Sequence, residues 1–184
     1  MTCQITNRVS TMAVRAVTLL AVLAVVGVSV SAQRENIPGI RNFTKVDGAI
    51  ACGGSTEPSA VAGLASRGYK SIVSLREDGE AGAVNGEMDQ AARAAGLRFI
   101  HVPMSAQSPS EGSASAALGA LRDGGNHPVF IYDASGSRAA AILMIKRMLD
   151  DGWDEGRAYS EAVSIGLSSP SLKSFALDYV ARHK

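Results

Sequence analysis

Residues 128–138 read Pro-Val-Phe-Ile-Tyr-Asp-Ala-Ser-Gly-Ser-Arg, and this stretch limits the available folds more than any other. Val129 to Ile131 are apolar and strand-favouring. Ala134, Ser135, Gly136 and Ser137 are small enough for a tight turn. Residues 139–149 then form a strong helical run. A strand feeding a small-residue loop at a helix N-terminus makes an anion cradle. The first N–H groups of the helix lack partners and carry partial positive charge. Arg138 adds a planar fork suited to gripping an oxyanion. Asp133, at the head of the loop, is itself an anion.

The flanking pattern alternates strand and helix. Ile72, Val73 and Leu75 mark a strand over 69–75, and 97–102 marks another, closed by Pro103. Val46 to Ala51 reads as a turn and a short first strand, and 128–132 as the fourth. Helices are expected after Thr56 as N-cap, over 87–95, from a capping box at Ser108-Pro109-Ser110-Glu111 to Arg122, over 139–150, over 154–165 and from Ser169-Pro170 onward. Short connections between alternating elements predict an α/β fold. It has a central, mostly parallel sheet of four to five strands with helices on both faces. Ligands of such sheets bind at the carboxyl ends of the strands, which is where residues 133–138 fall.

The N-terminus reads differently. Arg8 and Arg15 precede an uncharged apolar run over 16–30, and Val30-Ser31-Ala32 offers a small-residue cleavage site. Residues 1–32 are expected to be a signal peptide, 33–45 an extended leader and 46–184 the domain, giving a periplasmic or secreted protein without membrane contact after cleavage. The alternative is an uncleaved anchor, since the run is near the lower limit of roughly 17 residues for a spanning helix. After cleavage Cys52 is the single cysteine, so no internal disulfide can form. Charges nearly cancel at +1 and no basic block is present, which leaves nucleic acid without an electrostatic footprint. No Asp-x-Asp cluster suggests a metal beside the loop, and no cofactor is called for.

In their order and spacing, four segments resemble the tyrosine and dual-specificity phosphatase-like superfamily. The resemblance is strongest to its bacterial beta-lactamase-hydrolase-like phosphatase domain. They are Asn42-Phe43-x-Lys45-Val46 with Gly53-Gly54-Ser55; Ser71-Ile72-Val73-Ser74-Leu75-Arg76; Gly96-Leu97-x-Phe99-Ile100-His101-Val102-Pro103; and Tyr132 to Arg138. The resemblance implies a three-layer phosphatase-like fold, a loop at 134–138 that binds phosphate, and a phosphorylated ligand or protein as partner. In active members of that superfamily a cysteine thiolate attacks phosphorus, the loop N–H groups and the arginine hold the phosphoryl oxygens, and an aspartic acid protonates the leaving group. Here Tyr132 stands at the family's histidine and Asp133 at its cysteine. Four residues separate Asp133 from Arg138, a spacing also used by rhodaneses. Residues 104–107 carry no carboxylate for a general acid. Asp78 and Glu80 lie on another sheet-end loop within reach, and Arg76 ends a strand where it can face the pocket or pair with Glu77 or Asp78.

Three roles for Asp133 follow from its charge: a nucleophile or base in an altered phosphatase, a cap on the loop N–H groups, or a partner for Arg138. The second and third make a pseudophosphatase whose carboxylate imitates the phosphate. A non-catalytic interaction domain is the remaining alternative. His101 reads as a satisfied core residue, His127 as surface, Cys52 as non-catalytic and Trp153 as an anchor for the last helices.

Overall fold

The computed structural model describes residues 32–184; the expected signal peptide lies almost wholly outside them. Among the described residues six strands form one sheet: β1 (Gln33–Arg34), β2 (Thr44–Lys45), β3 (Ile50–Gly53), β4 (Ser71–Ser74), β5 (Arg98–His101) and β6 (Val129–Tyr132), in the order β1-β2-β3-β6-β4-β5. Strands β3, β6, β4 and β5 run parallel, and β1 and β2 add an antiparallel edge. The helices are α1 (Val61–Ser66), α2 (Asn85–Ala94), α3 (Glu111–Arg122), α4 (Ser137–Leu149), α5 (Glu155–Ile165) and α6 (Pro170–His183).

Side chains alternate across each strand. Val129 and Ile131 of β6, Val73 of β4 and Ile50 and Cys52 of β3 join a core with α3, α4, α5 and α6. Phe130, Tyr132, Ile72 and Ala51 join a second core with α1 and α2. Both faces are covered, so the central strands are buried throughout, as a parallel sheet requires. Helix α4 is buried from Ser137 to Ile145. Helices α5 and α6 pack on it from outside, so it is apolar nearly all round.

The structure differs from the sequence reading in three places. Residues 33–45 are not merely a leader: they supply β1 and β2, and Ile37, Ile40 and Phe43 are buried in the second core, with Phe43 stacked on Phe130 at 5.6 Å. This raises the strand number to six. Thr56 caps no helix. Its hydroxyl donates to Gly54 O at 3.0 Å, and the chain enters α1 through a 3-10 turn at Pro58–Ala60. The cap of α3 is Ser110, whose Oγ accepts from Ser113 N at 3.1 Å, so Pro109 precedes the helix rather than opening it.

Candidate functional site

Between β3 and β4, β6 ends at Tyr132 and the chain turns into α4 through residues 133–136. Gly136 makes that turn at φ +97°, a conformation that favours glycine. Gly54 lies so close beneath the loop that a Cβ there would meet Ser135 C at 3.1 Å and Ala134 O at 3.2 Å. The loop carbonyls face outward to the neighbouring strand-end segments: Ala134 O accepts from Ser55 N at 3.1 Å and Ser135 O from Asn42 Nδ2 at 3.3 Å. The Ser137 hydroxyl accepts from Ser168 N at 3.2 Å, tying the loop to the α5–α6 connection.

Loop N–H groups point inward, and the Asp133 carboxylate meets them. Oδ1 accepts from Ser135 N at 2.8 Å and Gly136 N at 3.0 Å, and Oδ2 from Ala139 N at 2.9 Å. The Ser135 hydroxyl adds a longer contact at 3.3 Å. Asp133 is 1% exposed. Thus the anion at the helix start is a side chain of the chain itself, capping from outside the N-cap position occupied by Gly136.

Arg138 is 3% exposed, and its guanidinium is held from three sides. Nη1 donates to Leu75 O at 3.1 Å, Met104 O at 2.7 Å and Glu80 Oε2 at 2.9 Å; Nη2 donates to Glu80 Oε1 at 2.7 Å. Its Nε lies 3.7 Å from Asp133 Oδ1, an ion pair too long for a hydrogen bond. Burial alone pushes the guanidinium pKa down, but the Glu80 hydrogen bonds and the Asp133 charge outweigh it and raise it above its ordinary value. Burial likewise pushes the Glu80 carboxyl up. The hydrogen bonds from Arg138 and from Glu77 N–H, with the charges of Arg138 and Arg76, overcome that and hold it below the ordinary glutamate value.

Of the two candidate carboxylates on the neighbouring loop, Glu80 joins the site and Asp78 does not. Asp78 is largely exposed; it accepts from Asn85 Nδ2 at 3.0 Å and lies 3.9 Å from His101 Nε2. Arg76 faces Glu80, not Glu77 or Asp78, with Nε 2.9 Å from Glu80 Oε1 and Nη2 donating to Ala81 O at 2.6 Å. The Glu80 pairing was legible only as a loop carboxylate within reach, because no local pattern says which side chain of a surface turn folds back.

The remaining candidates fall into place as packed groups. His101 Nε2 contacts Arg76 O at 2.8 Å and Asn85 Nδ2 at 3.1 Å, so it is satisfied within the fold. His127, expected at the surface, is half-buried with Nε2 2.7 Å from Leu121 O. Tyr132 stacks on Phe130 at 5.8 Å, and burial pushes its hydroxyl pKa up. Cys52 is fully buried in β3. Burial first, then the charges of Asp133, Glu161 and Asp47, raise its thiol pKa well above the ordinary value, the opposite of an activated nucleophile. Trp153 has the guanidinium groups of Arg157 and Arg147 over its ring, 3.6 and 4.7 Å from the ring centre. Among the described residues no three His, Cys, Asp or Glu side chains are grouped to hold a metal.

The sequence profile described as beta-lactamase hydrolase-like protein, phosphatase-like domain, matches residues 42–149. The chain belongs to this family. No curated protein matches the sequence. Among solved structures, this member of the family is similar to a DUF442 phosphatase from Shewanella putrefaciens CN-32, with a TM-score of 0.67 and 15% identity over 78% of this chain and 94% of that one. It is similar to TpbA from P. aeruginosa in complex with pTyr, with a TM-score of 0.63 and 20% identity over 84% and 90% of the two chains. It is also similar to the core catalytic domain of the PP-IP phosphatase SIW14 from S. cerevisiae in complex with citrate, with a TM-score of 0.67 and 19% identity over 80% and 93%. At these identities the likeness is one of fold. The beta-lactamase hydrolase-like phosphatase domain here is therefore a phosphatase-like α/β fold with residues 133–138 at the carboxyl end of its central strand.

Proposed function

We propose that this protein is a pseudophosphatase: a phosphatase-like domain that does not hydrolyse phosphate esters, because Asp133 occupies its anion loop. One observation carries the reading. The Asp133 carboxylate is buried and takes the N–H groups of Ser135, Gly136 and Ala139 at 2.8–3.0 Å. A phosphoryl group entering the same cradle would meet a carboxylate at contact distance. Two like charges about 4 Å apart repel by about 4 kcal/mol at an effective dielectric near 20. Attack by Asp133 itself would require it to leave all three N–H groups. The segment after Pro103 adds no acid, and its Met104 carbonyl is engaged by Arg138. The phosphorylated ligands and proteins suggested by the family remain the class of partner. TpbA was solved with pTyr and the SIW14 domain with citrate, both anions.

The test is hydrolysis of p-nitrophenyl phosphate by the purified protein, across pH 5–8 and with and without magnesium. No turnover above the uncatalysed rate is expected. Clear turnover that disappears in Arg138→Ala would overturn the reading. Export through residues 1–32 is part of the same proposal. It is supported by the charged, apolar and small-residue segments of that stretch and is checked by sequencing the N-terminus of the native protein, where a start at Gln33 is expected.

A further inference from the structure

Beside the loop, two buried arginines face one carboxylate between them. Arg76 and Arg138 are each 3% exposed, and both face Glu80 Oε1, at 2.9 and 2.7 Å. Glu80 hydrogen-bonds only one of them through its carboxylate. Its two oxygens align with Arg138 Nη1 and Nη2, while the N–H of Arg76 Nε is turned off the line to Oε1 and has no hydrogen-bond partner. A buried guanidinium N–H without an acceptor is costly. A carboxylate offers two oxygens in one plane; a tetrahedral oxyanion offers three or four in different directions, enough for Arg138 and Arg76 together.

Glu80 is also the part of this site best placed to move. It reaches in from the turn at residues 77–83, of which no side chain is buried. Gly79 and Gly82 both have positive φ there. The turn is held by polar contacts: the Glu80 ion pairs, Ala81 O on Arg76, and the bonds Glu80 N to Glu77 O and Ala83 N to Glu80 O. Charge is balanced while Glu80 is in place, with Arg76 and Arg138 against Glu80 and Asp133. Turned outward, Glu80 leaves a buried site with one net positive charge that opens toward solvent.

We propose that Arg76 and Arg138 form a second oxyanion site, lateral to the loop that Asp133 fills, with Glu80 as a displaceable latch and a phosphate-type tetrahedral anion as the ligand. The inference rests on the reading that Asp133 closes the backbone cradle. It assigns phosphate recognition to Arg76, just after β4, and Arg138, in the first turn of α4, rather than to loop N–H groups. Binding competes with Glu80, so the wild-type affinity is reduced by the fraction of time the latch is closed.

The experiment is isothermal titration of the full chain with inorganic phosphate at fixed ionic strength, repeated with phosphotyrosine to distinguish a free anion from an ester. Glu80→Gln is expected to bind phosphate at least about tenfold more tightly than wild type. The double variant Arg76→Gln with Glu80→Gln is expected to lose that gain. Should Glu80→Gln not fold, Glu80→Asp keeps the charge but is too short to span both arginines, and is expected to gain affinity in the same direction. Unchanged affinity in the folded Glu80 variant overturns the proposal. So does a gain that survives loss of Arg76, or a gain seen in Asp133→Asn and not in the Glu80 variant, which would put the anion in the loop. Turnover of an aryl phosphate by wild type would overturn the pseudophosphatase reading and leave this comparison of affinities standing.

Discussion

Asp133→Ala is the most informative single change. The side chain serves as the acceptor for three N–H groups at 2.8, 3.0 and 2.9 Å and as counter-charge to Arg138 Nε at 3.7 Å. Hydrogen bonds to a charged group contribute about 1.5–3 kcal/mol each, but water admitted by the truncation recovers part of that. Removing one member of a buried ion pair costs about 3–5 kcal/mol, and helix-cap losses lie at about 0.5–2 kcal/mol. The terms overlap, since they describe one carboxylate, so the expected loss is about 3–5 kcal/mol. At about 2–4 °C per kcal/mol for a domain of this size, the melting temperature should fall by roughly 6–20 °C. Calorimetry and urea titration measure it. Phosphate supplies a control that separates this mechanism from general damage. The variant cradle is open, so phosphate at about ten times its dissociation constant should restore about 1.4 kcal/mol. The wild type should gain much less, because both its loop and its two-arginine site hold internal carboxylates. A loss under about 1 kcal/mol, or equal phosphate stabilisation of wild type and variant, would refute the claim that Asp133 fills an anion site.

Three further outcomes are expected. Arg147→Ala leaves Asp47, Asp151 and Glu161 without the guanidinium they meet at 3.0, 2.7 and 2.8 Å. It should cost about 3–5 kcal/mol, and a urea midpoint close to wild type would rule that out. Acid should destabilise the fold through Glu80 and Asp151. For both, burial raises the carboxyl pKa but hydrogen bonds and charge from the arginines, with Lys146 at Asp151, bring it below the ordinary value. The unfolded chain therefore takes up these protons first, so their contribution is present above the ordinary carboxylate range and is lost as pH falls through the lower folded-state values. Stability rising between pH 5 and pH 3 would contradict it. Finally, in a Cys3→Ser chain, Cys52 should react with a thiol reagent only at the rate of global unfolding, being fully buried with a raised thiol pKa; rapid labelling of the native protein would count against the fold at β3.

Much of the architecture was readable in the chain because it rests on short-range rules. Apolar runs at 72–75 and 129–132, glycines after helices, and serine or aspartate caps such as Asp154 and Ser169 act within a few residues. The strand–loop–helix at 128–138 belongs to the same class. The seat of Asp133 was one of three roles its charge allowed, and the structure places its partners two to six residues away. A polar segment such as 33–45 carries no such signal. Ile37, Ile40 and Phe43 are scattered there, and only packing against Phe130 and α1 makes them core.

What the sequence by itself determined is the presence of a helix-start anion loop with an aspartate at its head, since side-chain type and local spacing suffice for that. What only the tertiary structure decided is the identity of the groups around Arg138. Leu75, Glu80 and Met104 are separated from it by 63, 58 and 34 residues. Asp78 and Glu80 are equivalent carboxylates in the sequence. They diverge because the turn directs one toward Asn85 and the other into the gap between two buried arginines, and that direction exists only once β4, β5 and β6 lie side by side.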